Sequence, residues 1–139
     1  MPRWRAFYHL VWATRGREPL ITPTLEPLVY RQLRQIAQHH GVNVHAVGGI
    51  ADHVHMAVSV PPSLAVAVVV KRIKGASSRA IGKATNESFT WQGDYGVDTF
   101  SERHLPKVVA YINNQHRHHA EQTIWASIEE IPEPTDEDE

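Results

Sequence analysis

The sequence predicts an α+β fold of ferredoxin-like type, in which helices pack on one face of a mainly antiparallel sheet. The order of the predicted elements is β-α-β-β-α-β-α, and the fourth β segment is expected as two short strands around a turn. Two strands, at 42–47 and 52–59, are joined by the pair Gly48-Gly49, which favours an antiparallel hairpin. The opposite face of the sheet is then available for a functional site.

The first strand is expected at residues 5–14, where aromatic and β-favouring side chains predominate. A helix follows, with Thr24 as its expected N-cap. This cap places Pro27 at the third helical position, where no backbone donor is needed. The apolar stripe of this helix ends before Gly41, which supplies the stop.

The segment 52–59 alternates between histidine or small residues and larger apolar residues, a pattern typical of a strand. Its two histidines, His53 and His55, share one face, with Cα atoms about 6–7 Å apart, so they can converge on one divalent ion or one phosphate. An isolated His-x-His is more often solvated or hydrogen-bonded. The neighbouring acid Asp52 and the double proline that stops the strand, Pro61-Pro62, favour a site.

A second helix is expected after Ser63, which can act as its cap, and an apolar stripe runs from Val66 to Ile81. Basic and hydroxyl side chains follow the apolar start of this helix. A solvated outer face and a surface that contacts phosphate are both open explanations. The candidate phosphate-binding residues are Lys71, Arg72, Lys74, Ser78 and Arg79.

Residues 89–92 and 97–100 read as two short strands around a glycine-containing turn. The aromatic side chains of this region, Trp91 and Tyr95, more often pack in cores and turns than stack on bases. The last helix has Pro106 in its first turn.

The overall charge of −1 conceals an asymmetry between the body and the end of the chain. Residues 121–139 hold eight acids and no Lys or Arg, which leaves 14 basic against seven acidic residues in 1–120, a net charge of +7. We expect one domain over 1–120 with affinity for a polyanion, followed by an acidic tail over 121–139 that is partly disordered. A short apolar patch at Ile124, Trp125 and Ile128 is expected to dock on the body.

The chain contains no cysteine, so a metal would be bound by nitrogen and oxygen ligands. No apolar run is long enough to span a membrane and no signal-peptide core is evident, so a cytoplasmic location is expected.

Two residues on the last helix, Tyr111 and Gln115, lie four positions apart and therefore on one helical face. A tyrosine hydroxyl is a competent nucleophile toward phosphorus when a metal stabilises the developing charge. A glutamine amide oxygen is a neutral ligand suited to Mn²⁺ or Mg²⁺. Taken alone, this pair is common in helices that only pack.

The combination of Asp52-His53-Val54-His55-Met56, the turn Trp91-Gln92-Gly93-Asp94-Tyr95 and Tyr111-Ile112-Asn113-Asn114-Gln115 resembles the HUH single-strand transposases of small insertion sequences. These enzymes have one catalytic tyrosine. The resemblance extends from Tyr8 to about His119.

The resemblance implies that His53, His55 and Gln115 bind a divalent cation, for which Mg²⁺ or Mn²⁺ is expected. We expect Asp52 to lie behind the histidines or at a solvated end of the strand. It implies that Tyr111 attacks single-stranded DNA and forms a 5′-phosphotyrosine with release of a 3′-hydroxyl. It also implies recognition of hairpins at element ends, and a homodimer. Two alternatives stay open: a domesticated nickase of genomic repeats, and a catalytically silent nucleic-acid-binding module.

Overall fold

The computed structural model describes residues 4–132. Its four strands form one sheet in the order β2-β3-β1-β4, and every neighbouring pair is antiparallel. The strands are β1 (Phe7–Ala13), β2 (Asn43–Ile50), β3 (His53–Ser59) and β4 (Gly96–Phe100). The helices are α1 (Glu26–His39), α2 (Val66–Thr85), α3 (Leu105–Asn113), α4 (Gln115–Glu121) and α5 (Ala126–Glu129). The predicted ferredoxin-like α+β fold is confirmed.

Alternation along β3 sends its side chains to two different layers. Val54, Met56 and their apolar neighbours lie in the main core together with buried residues of α1 and α2. Ala57 lies on the other face, where it packs against Val108 and Ile112 of α3. The last helix therefore occupies the face that the sequence reasoning had left free of helices, because its own apolar side needs a partner and small residues on the sheet provide room.

The helix starts differ from the predicted ones. Thr24 is not the N-cap of α1, since the preceding turn uses the Thr22 hydroxyl, which accepts the Leu25 N–H at 3.2 Å. Pro27 still lies within the first turn. Ser63 is likewise not the cap of α2, which follows Ala65 in an extended conformation.

The glycine pair lies inside β2 and does not form the turn, which consists of Ala51 and Asp52. A Cβ atom on Gly48 would lie 3.1 Å from the carbonyl carbon of Ile112 and closer still to its oxygen. The missing side chain thus lets the backbone of α3 contact the sheet directly.

The segment 89–92 does not form a strand; Trp91 makes only an isolated bridge to Thr14. Its indole N–H donates to the Ser77 hydroxyl at 2.8 Å, and the ring is buried, so this aromatic residue packs as expected.

Among the described residues, no helix has the length and hydrophobicity that a membrane span requires. The acidic positions 133–139 of the predicted tail lie outside the described residues.

Candidate metal and nucleophile site

Two histidines and one tyrosine meet on the α3 face of the sheet. His53 and His55 are almost fully buried, with ring centroids 5.0 Å apart. Tyr111 reaches them from α3, and its ring centroid lies 6.1 Å from that of His55. The strand alternation and the packing of α3 together place a potential nucleophile beside the histidine pair.

Each imidazole has a hydrogen-bond partner at Nδ1, on the side of the ring away from the site. The Nδ1 atom of His53 lies 2.7 Å from Asp52 Oδ1, and a carboxylate can only accept, so this nitrogen carries a hydrogen. The Nδ1 atom of His55 lies 2.8 Å from Nε2 of His9. The other nitrogen of His9, Nδ1, lies 3.4 Å from Asp98 without an aligned hydrogen bond, so either nitrogen of the His9–His55 pair can carry the shared hydrogen.

Both Nε2 atoms consequently face into the site, where binding of a metal requires that they carry no hydrogen. Burial, followed by the proximity of His55, lowers the pKa of His9 to about 3, so His9 remains neutral and can accept this hydrogen bond.

The site also contains Glu129, which the sequence reasoning had assigned to the acidic tail. Its Oε1 atom lies 2.9 Å from His55 Nε2 and 3.1 Å from His53 Nε2. Its Oε2 atom accepts a hydrogen bond from the Tyr111 hydroxyl. The apolar patch before Glu129 was the sequence feature that could have indicated its position, because Trp125 and Ile128 do pack on the body.

The pKa values in the cluster are set by burial, which disfavours the charged form of each group, and by hydrogen bonds and charges from neighbouring side chains. Burial is the largest single influence on the pKa of His53 and lowers it, but hydrogen bonds and charges from Asp52 and Glu129 together outweigh it, so this pKa is raised. Burial dominates at His55 and lowers its pKa. Burial opposes ionisation of Glu129, but hydrogen bonds from both histidines and Tyr111 prevail and lower its pKa. Burial and the hydrogen bond to Glu129 raise the pKa of Tyr111 to about 12.

The donor set fits a divalent cation. The Nε2 atoms of His53 and His55 face the same carboxylate oxygen of Glu129, and a cation bound by these three atoms would replace the hydrogen bond that now joins His55 to Glu129. Nε2 of His53 is buried without a correctly aligned hydrogen-bond partner. One ligand atom from each of His53, His55 and Glu129 lies within 4.8 Å of the others. Two imidazoles and one carboxylate form a ligand set that proteins use for divalent metal ions.

Gln115 lies beside this cluster but on a different helix from Tyr111, because α3 ends before Asn114. Its Nε2 atom is 3.4 Å from the Tyr111 carbonyl oxygen, and its Oε1 atom is 3.2 Å from Nε2 of His119. That histidine nitrogen also lies 3.4 Å from Glu129 Oε2. The predicted arrangement of Tyr111 and Gln115 on one continuous helix is therefore wrong, and the amide is held against His119.

The predicted phosphate-binding residues lie along α2. Lys71, Arg72 and Arg79 are exposed, and Ser78 is half-buried. Lys74 instead donates to the loop carbonyls of Gln92, Gly93 and Asp94, so it stabilises the turn after Trp91. An open cleft of about 490 Å³ runs between this helix and the turn. Its lining includes Lys71, Ser78, Trp91 and Tyr95. A role for these residues in binding DNA stays a prediction.

Comparison with known proteins gives a consistent family. The family model described as "Transposase IS200 like" matches residues 3–115. The ISDra2 transposase TnpA of Deinococcus radiodurans is 30% identical over 116 residues, which cover 78% of this chain and 83% of that protein. The transposase of insertion sequence IS200 from Salmonella typhimurium is 29% identical over 121 residues, covering 81% of this chain and 78% of the relative.

Solved structures agree with this result. A putative transposase from Deinococcus radiodurans R1 superposes with a TM-score of 0.66 at 29% identity, covering 83% of this chain and 98% of the other. A REP-associated tyrosine transposase bound to a REP hairpin gives a TM-score of 0.63 at 14% identity, covering 86% and 74% of the two chains. At that identity the second likeness concerns the fold alone.

Proposed function

Because this chain belongs to the family of IS200-like transposases, we propose that it cleaves and rejoins single-stranded DNA in a metal-dependent reaction with Tyr111 as the nucleophile. The observation that carries this proposal is the convergence of the Tyr111 hydroxyl with the Nε2 atoms of His53 and His55 around one carboxylate. The phenol supplies a nucleophile, and the two imidazoles supply ligands for a cation that can stabilise charge on the phosphate.

In the proposed reaction the Tyr111 oxygen forms a bond to phosphorus, and the bond between phosphorus and the 3′ oxygen breaks. The phenol proton ends on the released 3′-hydroxyl, directly or through solvent, and the 5′-phosphate remains on the enzyme as an ester. Rejoining is the reverse attack by a 3′-hydroxyl. A divalent cation bound by His53 and His55 would stabilise the charge on the phosphate. The pKa of Tyr111 is raised to about 12, so the phenol is protonated at neutral pH and must lose its proton during the attack.

We propose DNA with hairpin ends as the partner, bound by the basic body. Support comes from the net charge of +7 over residues 1–120 and from the fold shared with a transposase solved with a REP hairpin. Exposed Lys71, Arg72 and Arg79 on α2 are the proposed phosphate contacts. A homodimer stays a prediction, and within the described chain Tyr111 already contacts the histidines of the same molecule.

The deciding experiment is covalent trapping. Single-stranded DNA that carries an authentic element end is incubated with protein and Mn²⁺ or Mg²⁺, and a denaturant-resistant adduct is sought on the 5′ side of the cleaved bond. Wild type should form the adduct and chelator should abolish it. Tyr111→Phe should bind the same DNA without forming it.

Adduct that persists in Tyr111→Phe would assign the nucleophile to another residue. Absence of adduct on every authentic end would favour a silent nucleic-acid-binding module.

A further inference from the structure

We propose that Glu129 is the third ligand of the divalent cation and that the same carboxylate orients the nucleophile. One oxygen, Oε1, completes the ligand set of His53 and His55, while the other, Oε2, holds the Tyr111 hydroxyl. The proposal rests on the proposed function, because it concerns the cation of the same site. It assigns to a residue of the acidic C-terminal region a role for which the sequence pattern had suggested Gln115.

The distances within the cluster match those between neighbouring ligands of one ion. Metal–ligand bonds of about 2.1 Å in octahedral geometry separate adjacent ligand atoms by about 3.0 Å. The Oε1 atom of Glu129 lies 2.9 Å from one imidazole nitrogen and 3.1 Å from the other. The carboxylate therefore already has the spacing of a ligand from His53 and His55.

The position of Glu129 is fixed by contacts on both sides of it. We call residues 123–130 the C-terminal strap. Before Glu129, the backbone N–H of Trp125 donates to the Tyr111 hydroxyl at 2.9 Å, and the two rings meet edge to face with centroids 5.8 Å apart. After it, the carbonyl of Glu130 lies so close to Gly96 on β4 that an added Cβ would be only 2.8 Å away. The strap is therefore packed against both α3 and the sheet.

The position of Gln115 supports the same assignment. Its amide oxygen faces His119 Nε2 at 3.2 Å, and that nitrogen is 3.4 Å from Glu129 Oε2. The Gln115 side chain is thus engaged with His119 and with the Tyr111 side chain, whereas Glu129 Oε1 is the oxygen beside both imidazoles. A carboxylate also brings a negative charge that a neutral amide lacks, and this charge strengthens the binding of a hard divalent cation.

Calorimetric titration with Mn²⁺ at pH 8, in the absence of DNA, separates the ligand role from catalysis. Glu129→Gln keeps the size of the side chain and removes its charge, and we expect it to weaken Mn²⁺ affinity at least tenfold. Glu129→Asp, which restores a carboxylate, should recover part of the loss. Glu121→Gln removes an exposed acid from α4 and is the matched control, expected to bind as wild type. Thermal melts verify that each variant is folded.

A folded Glu129→Gln variant that binds Mn²⁺ as wild type does would overturn the proposal. Tighter binding would also overturn it, because the carboxylate would then be a group that blocks the site. Neither result affects covalent trapping through Tyr111, so the proposed function could stand without this inference. Equal Mn²⁺ affinities of wild type and His55→Ala would instead remove the histidine pair itself from the site, and both proposals would fail.

Discussion

Replacing Gly48 by alanine should separate metal binding from chemistry, because this glycine sets how closely α3 approaches the sheet. Gly48 pairs with His55 across the β2–β3 ladder, and its missing side chain faces the backbone of Ile112. Tyr111 is the residue before Ile112 on that helix. The substitution therefore acts on the nucleophile through the position of α3 and leaves the chemical identity of both histidines unchanged.

The size of the effect follows from the space available. The new methyl group would lie 3.1 Å from the Ile112 carbonyl carbon, 3.2 Å from its Cγ2 atom, and closer still to its oxygen. Ordinary contacts between heavy atoms are about 3.5–4.0 Å, so α3 must retreat by about 1 Å. Overpacking of this kind costs about 1–3 kcal/mol of stability, and a misplacement of about 1 Å at a reacting group can cost about 100-fold in rate.

The assay compares adduct formation and Mn²⁺ affinity in Gly48→Ala, with Gly75→Ala as the matched glycine control. A Cβ on Gly75 would meet nothing nearer than 3.9 Å, and alanine is the better helix former. We expect Gly48→Ala to form adduct about 100-fold more slowly while His53 and His55 still bind Mn²⁺. An unchanged rate of adduct formation in a folded Gly48→Ala protein would refute the reasoning.

Two further predictions concern protons and salt. Mn²⁺ binding requires unprotonated Nε2 atoms, and the pKa of His53 is raised. The Mn²⁺ affinity should therefore reach its maximum well above pH 6.5. It should fall by up to about tenfold per pH unit as the pH decreases through that raised pKa. Titrations between pH 8 and pH 5 measure this, and a flat profile would contradict it. Replacing Lys71 and Arg79 by alanine should weaken hairpin binding and lower the slope of log K against log salt by about one unit for each lost phosphate contact. Lys74 is unsuitable for this test because it stabilises the loop after Trp91, and an unchanged slope would leave α2 as a solvated face.

The parts of the fold that were predictable are those encoded by local pattern. The period of two in β3 placed His53 and His55 on one face, and short connections gave the antiparallel order. The helix caps were harder, because Thr22 and Thr24 are chemically equivalent candidates, and it is the Thr22 hydroxyl that accepts the Leu25 N–H.

Glu129 was not predictable from spacing. It contacts His55 across 74 positions of sequence, and one acid among eight in residues 121–139 has no local mark that distinguishes it. Its place depends on the path that Trp125 and Ile128 set by packing. The two glycines of β2 likewise resemble a turn in sequence, and only the position of α3 shows why they lie within a strand.

The alternation of β3 ties the integrity of the site to the integrity of the core. A slip of one residue against β1 would turn both imidazoles toward α1 and α2 and expel Val54, Met56 and Val58 from the core. Each expelled side chain would forfeit about 1.5–3 kcal/mol. Because that loss is comparable to the whole stability of a small domain, a molecule in the wrong register does not stay folded. Only a chain folded in the native register can therefore present both imidazoles on the α3 face, so a misregistered chain loses the candidate site together with its stability.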